Sequence, residues 1–225
     1  MADISGNHGG FLEKANELIE TAAICGCDYA KFQYYSPGEM FDNDNMDLYR
    51  KLAVPRDWLA SMFDTAHHNG IGLFASIFSV DLLEHLLPFS PNYIKLASPQ
   101  STWLPTRVYR EIVAITPKTI SIVASADDRD VDRLWTIMRD AGRSLQCLYC
   151  PPGHPPTITD GMLDEFTSGC YYGFSDHTTD LQAPLAFAQA GAEMIEKHLK
   201  LDDNCVDAMF SANAVTMGRL CEMVK

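Results

Sequence analysis

Ala190-Gly191-Ala192-Glu193-Met194-Ile195-Glu196-Lys197-His198 joins the end of a helical pattern to a short strand that finishes on a histidine. The glycine falls where a left-handed helix cap costs least, immediately before the strand. The same theme recurs at Cys25-Gly26-Cys27-Asp28 and at Asn69-Gly70-Ile71-Gly72. Short apolar runs near 2–5, 28–33, 71–76, 93–97, 119–124, 145–149, 171–174 and 193–197 read as strands. Between them run helical patterns over 11–24, 57–69, 80–87, 104–114, 128–141, 160–168, 180–190 and 213–224, the short 160–168 segment carrying the weakest pattern. In the first, Leu12, Ala15, Leu18, Ile19 and Ala22 share one face. Alternating βα units of this kind build a parallel sheet. Eight of them in 225 residues predict a compact α/β chain, a (β/α)8 TIM barrel. An open dinucleotide-binding sheet would need a Gly-x-Gly-x-x-Gly turn, which Asn7-His8-Gly9-Gly10 does not match.

The composition agrees with one domain over 1–225. Hydrophobic residues are 47% and charged residues 21%, enough for a full core. A formal net charge of −13 argues against nucleic acid or an anionic membrane surface as partner. No stretch approaches the roughly 20 apolar residues that span a bilayer. The N-terminus lacks the basic and apolar regions of a signal peptide, so a cytoplasmic location is expected. Seven cysteines without regular spacing read as free thiols, mostly buried, and Cys25 as helix-end packing. Cys147-x-x-Cys150 has the spacing of a redox or zinc pair but lacks a second pair to complete a zinc set.

Chemistry in such a barrel sits at the carboxyl ends of the strands. In order, those ends carry Asn7 and His8, Lys31 and Gln33, Ser76, Lys95 and Ser98, Ser125, Tyr149 and Cys150, Ser175 to His177, and His198. Two imidazoles on one rim, His177 and His198, are suited to a divalent metal. Period-two alternation places Tyr29, Lys31 and Gln33 on one side of their strand. A lysine there is unfavourable unless an anion meets it, either a core carboxylate or a bound phosphate. Two lysines at comparable positions favour phosphate, with Ser76 and Ser98 as further donors. Ser175-Asp176-His177 is no hydrolase triad, since sequence neighbours do not form that geometry. His67, His68 and His85 read as ordinary helix-surface histidines, and His154 in its proline-rich loop as a lesser candidate for the rim. The connection from Ser36 to Arg56 is long for a compact domain and reads equally as a substrate cover or a surface excursion with one short helix.

Gly6-Asn7-His8 with Gly10, Lys31-Phe32-Gln33, Tyr93-Ile94-Lys95-Leu96-Ala97-Ser98, Phe174-Ser175-Asp176-His177-Thr178 and Ile195-Glu196-Lys197-His198 together resemble the sialic acid (N-acetylneuraminate) synthase family. The resemblance implies condensation of phosphoenolpyruvate with an N-acetylated amino sugar, giving a nonulosonic acid and phosphate. It implies a divalent metal on His177 and His198, manganese first, with magnesium or cobalt as alternatives. It implies catalytic roles for Asp3, His177, His198 and Asp207. Lys31, Gln33, Ser76, Lys95, Ser98, Gln100 and Ser175 would contact the substrates, and a homodimer is expected.

Several positions depart from the family pattern. Asp3 stands where the family has Glu, Pro99-Gln100 where it has Gly-Glu, and Val123-Ala124-Ser125-Ala126 replaces Ser-Thr-Gly-Met. Pro152 and His154 replace Asn and Tyr, and Asp203-Asn204-Cys205-Val206 replaces the loop usual before Asp207. The family's C-terminal antifreeze-like domain is not expected in this chain. These departures, chiefly on the sugar side, keep a catalytically degenerate binding or partner barrel as the alternative. A lysine-imine pyruvate aldolase is a third reading.

Overall fold

A computed structural model of the chain describes residues 1–39, 43–98, 105–127 and 130–225. Its strands form a closed parallel barrel in chain order. They are β1 (Ala2–Asp3), β2 (Tyr29–Tyr34), β3 (Gly72–Ile77), β4 (Tyr93–Leu96), β5 (Ser121–Ala126), β6 (Gln146–Tyr149), β7 (Gly173–Asp176) and β8 (Met194–His198). Around them lie α1 (Leu12–Ile24), α2 (Met46–Leu52), α3 (Trp58–His68), α4 (Val80–Leu86), α5 (Thr106–Ile115), α6 (Val131–Asp140), α7 (Asp160–Ser168), α8 (Gln182–Gln189) and α9 (Ala214–Val224). Closure runs through β1, where Asp3 pairs with Lys31 on one side and with His198 on the other. Among the described residues, no helix is long and apolar enough to cross a membrane.

Strand boundaries differ from the expected ones where pairing and hydrophobicity part company. β1 stops at Asp3 rather than residue 5, because Ser5 turns to a φ of 40° and directs its N–H at Asp3 Oδ1 (2.9 Å). β5 and β7 each lie two residues later than their apolar runs suggest. Both include polar residues, Ser125 in β5 and Ser175 and Asp176 in β7, because the functional ends stay hydrogen-bonded to their neighbours.

Two layers of packing follow from the alternation of side chains along each strand. Outward-facing Phe32, Ile94, Leu96, Ile122 and Phe174 meet the helices, including the buried Ala15, Leu18, Ile19 and Ala22 of α1. Each large aliphatic buried this way contributes about 1.5–3 kcal/mol. Inward-facing residues fill the barrel. Phe74 and Val123 share register with Lys31 and Lys95. One layer lower, Tyr29 packs edge-on against Phe74 and Tyr93 at 5.9 and 5.1 Å. Gly173 is required in this filled interior, since a Cβ there would collide with the Met194 carbonyl oxygen.

The long β2–α3 connection holds α2 among its described residues. It is a surface excursion with one short helix, and that helix lays Leu48, Tyr49 and Leu52 over the barrel mouth. Gly10, at a φ of +86°, lets the first loop pass under it, where a Cβ would stand 2.5 Å from the Lys51 carbonyl. The cysteines are all free, but only Cys25, Cys27 and Cys147 are buried. Cys170 is exposed, and Cys150, Cys205 and Cys221 are half-buried, so the expected general burial of thiols fails. Cys147 and Cys150, an odd number of residues apart at a strand end, face opposite sides. Cys147 joins the outer core and Cys150 the barrel mouth, so they form neither a redox nor a zinc pair.

Candidate active site

A cavity of about 580 Å3 opens at the carboxyl ends of the strands. Its floor is an ion cluster. Lys31 Nζ lies 2.5 Å from Asp3 Oδ2 and 3.6 Å from Glu196 Oε2, and donates to Ser76 Oγ at 3.3 Å. Lys95 Nζ lies 2.7 Å from the same Glu196 oxygen, while Ser175 Oγ donates to Glu196 Oε1 at 2.7 Å. β1, β2, β3, β4, β7 and β8 thus meet through side chains that the register brings together.

These neighbours set the charges. Burial opposes ionisation of Glu196, but Lys31 and Lys95 outweigh it and hold the carboxyl well below its usual range. Burial also disfavours the Lys31 ammonium, and Asp3 and Glu196 more than compensate, so its proton is held more tightly than usual. Lys95 moves the other way: burial pulls it down, and Glu196 offsets only part of that. Two lysines therefore face two carboxyl groups, paired one to one before any ligand arrives.

A second group sits at one side of the mouth. The His177 and His198 rings are 5.1 Å apart, and His154 stands edge-on to His177 at 4.3 Å. Phe210 packs against all three rings, between 4.9 and 5.6 Å. Burial, with His198 and His154 close by, keeps His177 well below the ordinary histidine range and so neutral. Burial acts the same way on His198, but Asp3 and Asp207 overcome it and raise the pKa. His198 Nε2 is 3.3 Å from Asp3 Oδ2. Its Nδ1 approaches Asp207 Oδ2 at 3.0 Å without hydrogen-bond alignment.

The supporting contacts explain this placement. Asn7 donates to the Leu199 carbonyl at 2.8 Å and to Ser211 Oγ at 3.0 Å, and its Oδ1 accepts the Asp207 N–H at 3.0 Å. Asn7 therefore fixes the loop that brings Asp207 and Phe210 to the site. Asp176 turns away from His177, toward Lys197 Nζ at 2.6 Å, and accepts from the Thr178 N–H and hydroxyl. That pair ties the ends of β7 and β8, and no Ser-His-Asp relay exists here.

Asp3, Lys31, Gln33, Ser76, Lys95, Ser98, Ser175, His177, His198 and Asp207 all line this one cavity. Gln100 lies outside the described residues. Glu196 was missed as a site residue, although it stands two before His198 and so faces the same side of β8. His154 proves a full member of the rim. Of the helix histidines, His67 and His68 are exposed, whereas His85 is half-buried with Nδ1 3.3 Å from the Tyr34 hydroxyl. His8 leaves the site altogether: it packs edge-on to Trp58 at 5.7 Å and accepts the Gly10 N–H.

Burial lowers His8 to about 4 from an ordinary 6.5. Between those values the unfolded chain binds the proton and the folded chain does not, so stability falls as pH drops from about 6.5 toward 4. The loss reaches about 3 kcal/mol at most. Urea denaturation of His8→Gln should show a flatter pH profile over that interval; an unchanged slope would remove His8 as its source.

The donor set can be weighed for a metal. Neutral His177, the misaligned Nδ1 of His198 and the two flanking carboxylates suit a cation in chemical kind. Among the described residues, however, no three His, Cys, Asp or Glu side chains already converge on one ion position. A metal here would keep positions open for water or substrate.

Fold and site together define a (β/α)8 barrel with a buried lysine–carboxylate floor and a paired-histidine rim at the strand carboxyl ends. Residues 18–225 match the NeuB family, and the chain belongs to it. A pseudaminic acid synthase of Campylobacter jejuni is 29% identical over 224 residues, covering 90% of this chain and 65% of that protein. The spore coat polysaccharide biosynthesis protein SpsE of Bacillus subtilis is 27% identical over 245 residues, covering 100% of this chain and 65% of that protein. The chain thus spans just under two thirds of the length of these relatives. The crystal structure of an N-acetylneuraminic acid synthetase from Leptospira borgpetersenii superposes with a TM-score of 0.87 at 22% identity, covering 99% of this chain and 81% of that one, and shares the fold.

Proposed function

We propose that this chain carries the condensing site of a nonulosonic acid synthase, joining phosphoenolpyruvate to an N-acetylated amino sugar with release of phosphate. The observation that carries the reading is the co-location, in one cavity, of two buried lysines with serine hydroxyls and of a histidine pair with flanking carboxylates. Lys31, Lys95, Ser76, Ser98 and Ser175 would receive the anionic substrate. Because Glu196 and Asp3 already neutralise the lysines, the incoming phosphate or carboxylate would share them, and local hydrogen bonds must supply much of the affinity. Asp3, in contact with both Lys31 and His198, would orient the two groups where the lysine floor meets the histidine rim. His177 and His198 would hold a divalent cation, manganese first, which when bound supplies a Lewis acid for the sugar aldehyde. Gln33, His154 and Phe210 would border the acceptor sugar.

The acid test is phosphate release from phosphoenolpyruvate with manganese, across 2-acetamido and diacetamido sugars. Sugar-dependent release is expected. Folded, metal-loaded protein that releases none would shift the reading to a binding barrel without turnover, which the departures at Asp3, Pro99-Gln100 and Pro152 favour. Lys95→Met should weaken phosphoenolpyruvate binding about tenfold to a hundredfold in calorimetry. Equal affinity would place Lys95 outside the anion pocket. An imine-forming aldolase fits less well, since Asp3 and Glu196 hold Lys31 protonated and Glu196 engages Lys95 at 2.7 Å; borohydride trapping of pyruvate on either lysine would reveal one.

A further inference from the structure

At the opposite, amino-terminal end of the barrel lies a second cavity of about 280 Å3, lined in part by Tyr29, Tyr93, Tyr172, Cys27 and Cys221. The Sγ atoms of Cys27 and Cys221 are in contact there at 3.6 Å, from residues 194 apart in the chain. Cys27 leads into β2, and Cys221 lies on the last helix, α9. We propose that Cys27 and Cys221 form a redox-active thiol pair, oxidised by peroxides to a disulfide that ties α9 to the base of β2.

Three observations favour this pair over the other thiols. Only a short approach is needed to bring the two sulfurs to bonding distance. Both line a cavity, so a small oxidant can reach them, although Cys27 itself is buried. The hydrogen bond from Cys27 lowers the Cys221 thiol to about 7, which makes Cys221 the attacking sulfur. Cys25, the nearest alternative, directs its thiol to the Ala214 carbonyl at 3.2 Å. Cys147 and Cys150 face opposite sides of the sheet. In the reaction, the Cys221 thiolate attacks one peroxide oxygen and becomes a sulfenic acid, the other oxygen leaving as hydroxide and taking a proton. The Cys27 sulfur then displaces that hydroxyl as water. Two thiols and one hydrogen peroxide give one disulfide and two waters.

The tie would act on the last βα unit of the barrel. α9 begins directly after the loop carrying Asp207 and Phe210, and its start is capped by Asn213 accepting from the Thr216 N–H. A disulfide at Cys221 anchors that helix from its far end without touching the active-site cavity.

The full chain should be treated with hydrogen peroxide, digested without reduction and mapped by mass spectrometry, beside untreated protein. The expected result is a Cys27–Cys221 linked peptide and loss of two titratable thiols out of seven. Dithiothreitol should restore both. The melting temperature should rise by about 5 °C on oxidation and fall back on reduction. Cys221→Ser should abolish the link and the rise, while Cys25→Ser should retain them. A Cys25–Cys221 link, over-oxidation of Cys221 without a link, or an unchanged melting temperature in linked protein would overturn the proposal.

Discussion

Replacing Glu196 by glutamine is expected to lower the unfolding free energy by about 3–5 kcal/mol, the usual result of removing one partner from a buried ion cluster. The carboxylate serves Lys95 at 2.7 Å, Lys31 at 3.6 Å and the Ser175 hydroxyl at 2.7 Å. Lys31 keeps Asp3 in the variant, so the charge left without a counter-ion is that of Lys95. Lys95 can escape by shedding its proton, which burial already promotes. That escape limits the loss and gives it a pH signature. With a folded Lys95 pKa below its unfolded value, the unfolded variant binds the extra proton, so the variant gains stability as pH rises toward about 10.5. Urea midpoints from pH 7 to 10 test this. A deficit under about 1 kcal/mol at pH 7 would mean that the cluster behaves as an exposed pair does.

His198→Ala should reduce sugar-dependent phosphate release by about a thousandfold or more, the scale of losing Lewis-acid or equivalent charge stabilisation. Manganese binding, followed by electron paramagnetic resonance, should weaken in parallel. The fold should survive, because Asp3 retains Lys31 at 2.5 Å and the Asp207 backbone stays tied to Asn7 at 3.0 Å. Unchanged circular dichroism with lost turnover and lost manganese is therefore the expected combination. A variant that turns over normally would remove His198 from the chemistry; one that unfolds would assign it a structural role instead.

The barrel was legible because its evidence is local and repeated. Glycine caps precede three of the strands, a short apolar run marks each strand, and polar residues follow at the strand ends. The lysines at 31 and 95 and the histidines at 177 and 198 stood out as polar side chains where a barrel interior would otherwise be apolar. Their partners were harder to see. That Glu196, rather than a ligand, meets Lys95 depends on register between β4 and β8, which are not neighbours in the sheet. His154 reaches the rim through a proline-rich loop whose path no periodic pattern records. Asn7 was noticed at a strand end, but its task of holding the Asp207 loop spans 200 residues of chain.

The ion cluster also bears on the order in which the chain can fold. Asp3, Lys31 and Lys95 are made early, and the carboxylate that completes their neutralisation arrives only with β8. Until that strand docks, Lys95 lacks its carboxylate partner and is accommodated only while water still reaches it. Desolvation of Lys95 is therefore tied to docking of β8, which couples the fourth strand to the eighth although the two are not neighbours in the sheet. The residues that line the cavity floor are the same ones that link the early strands to the last.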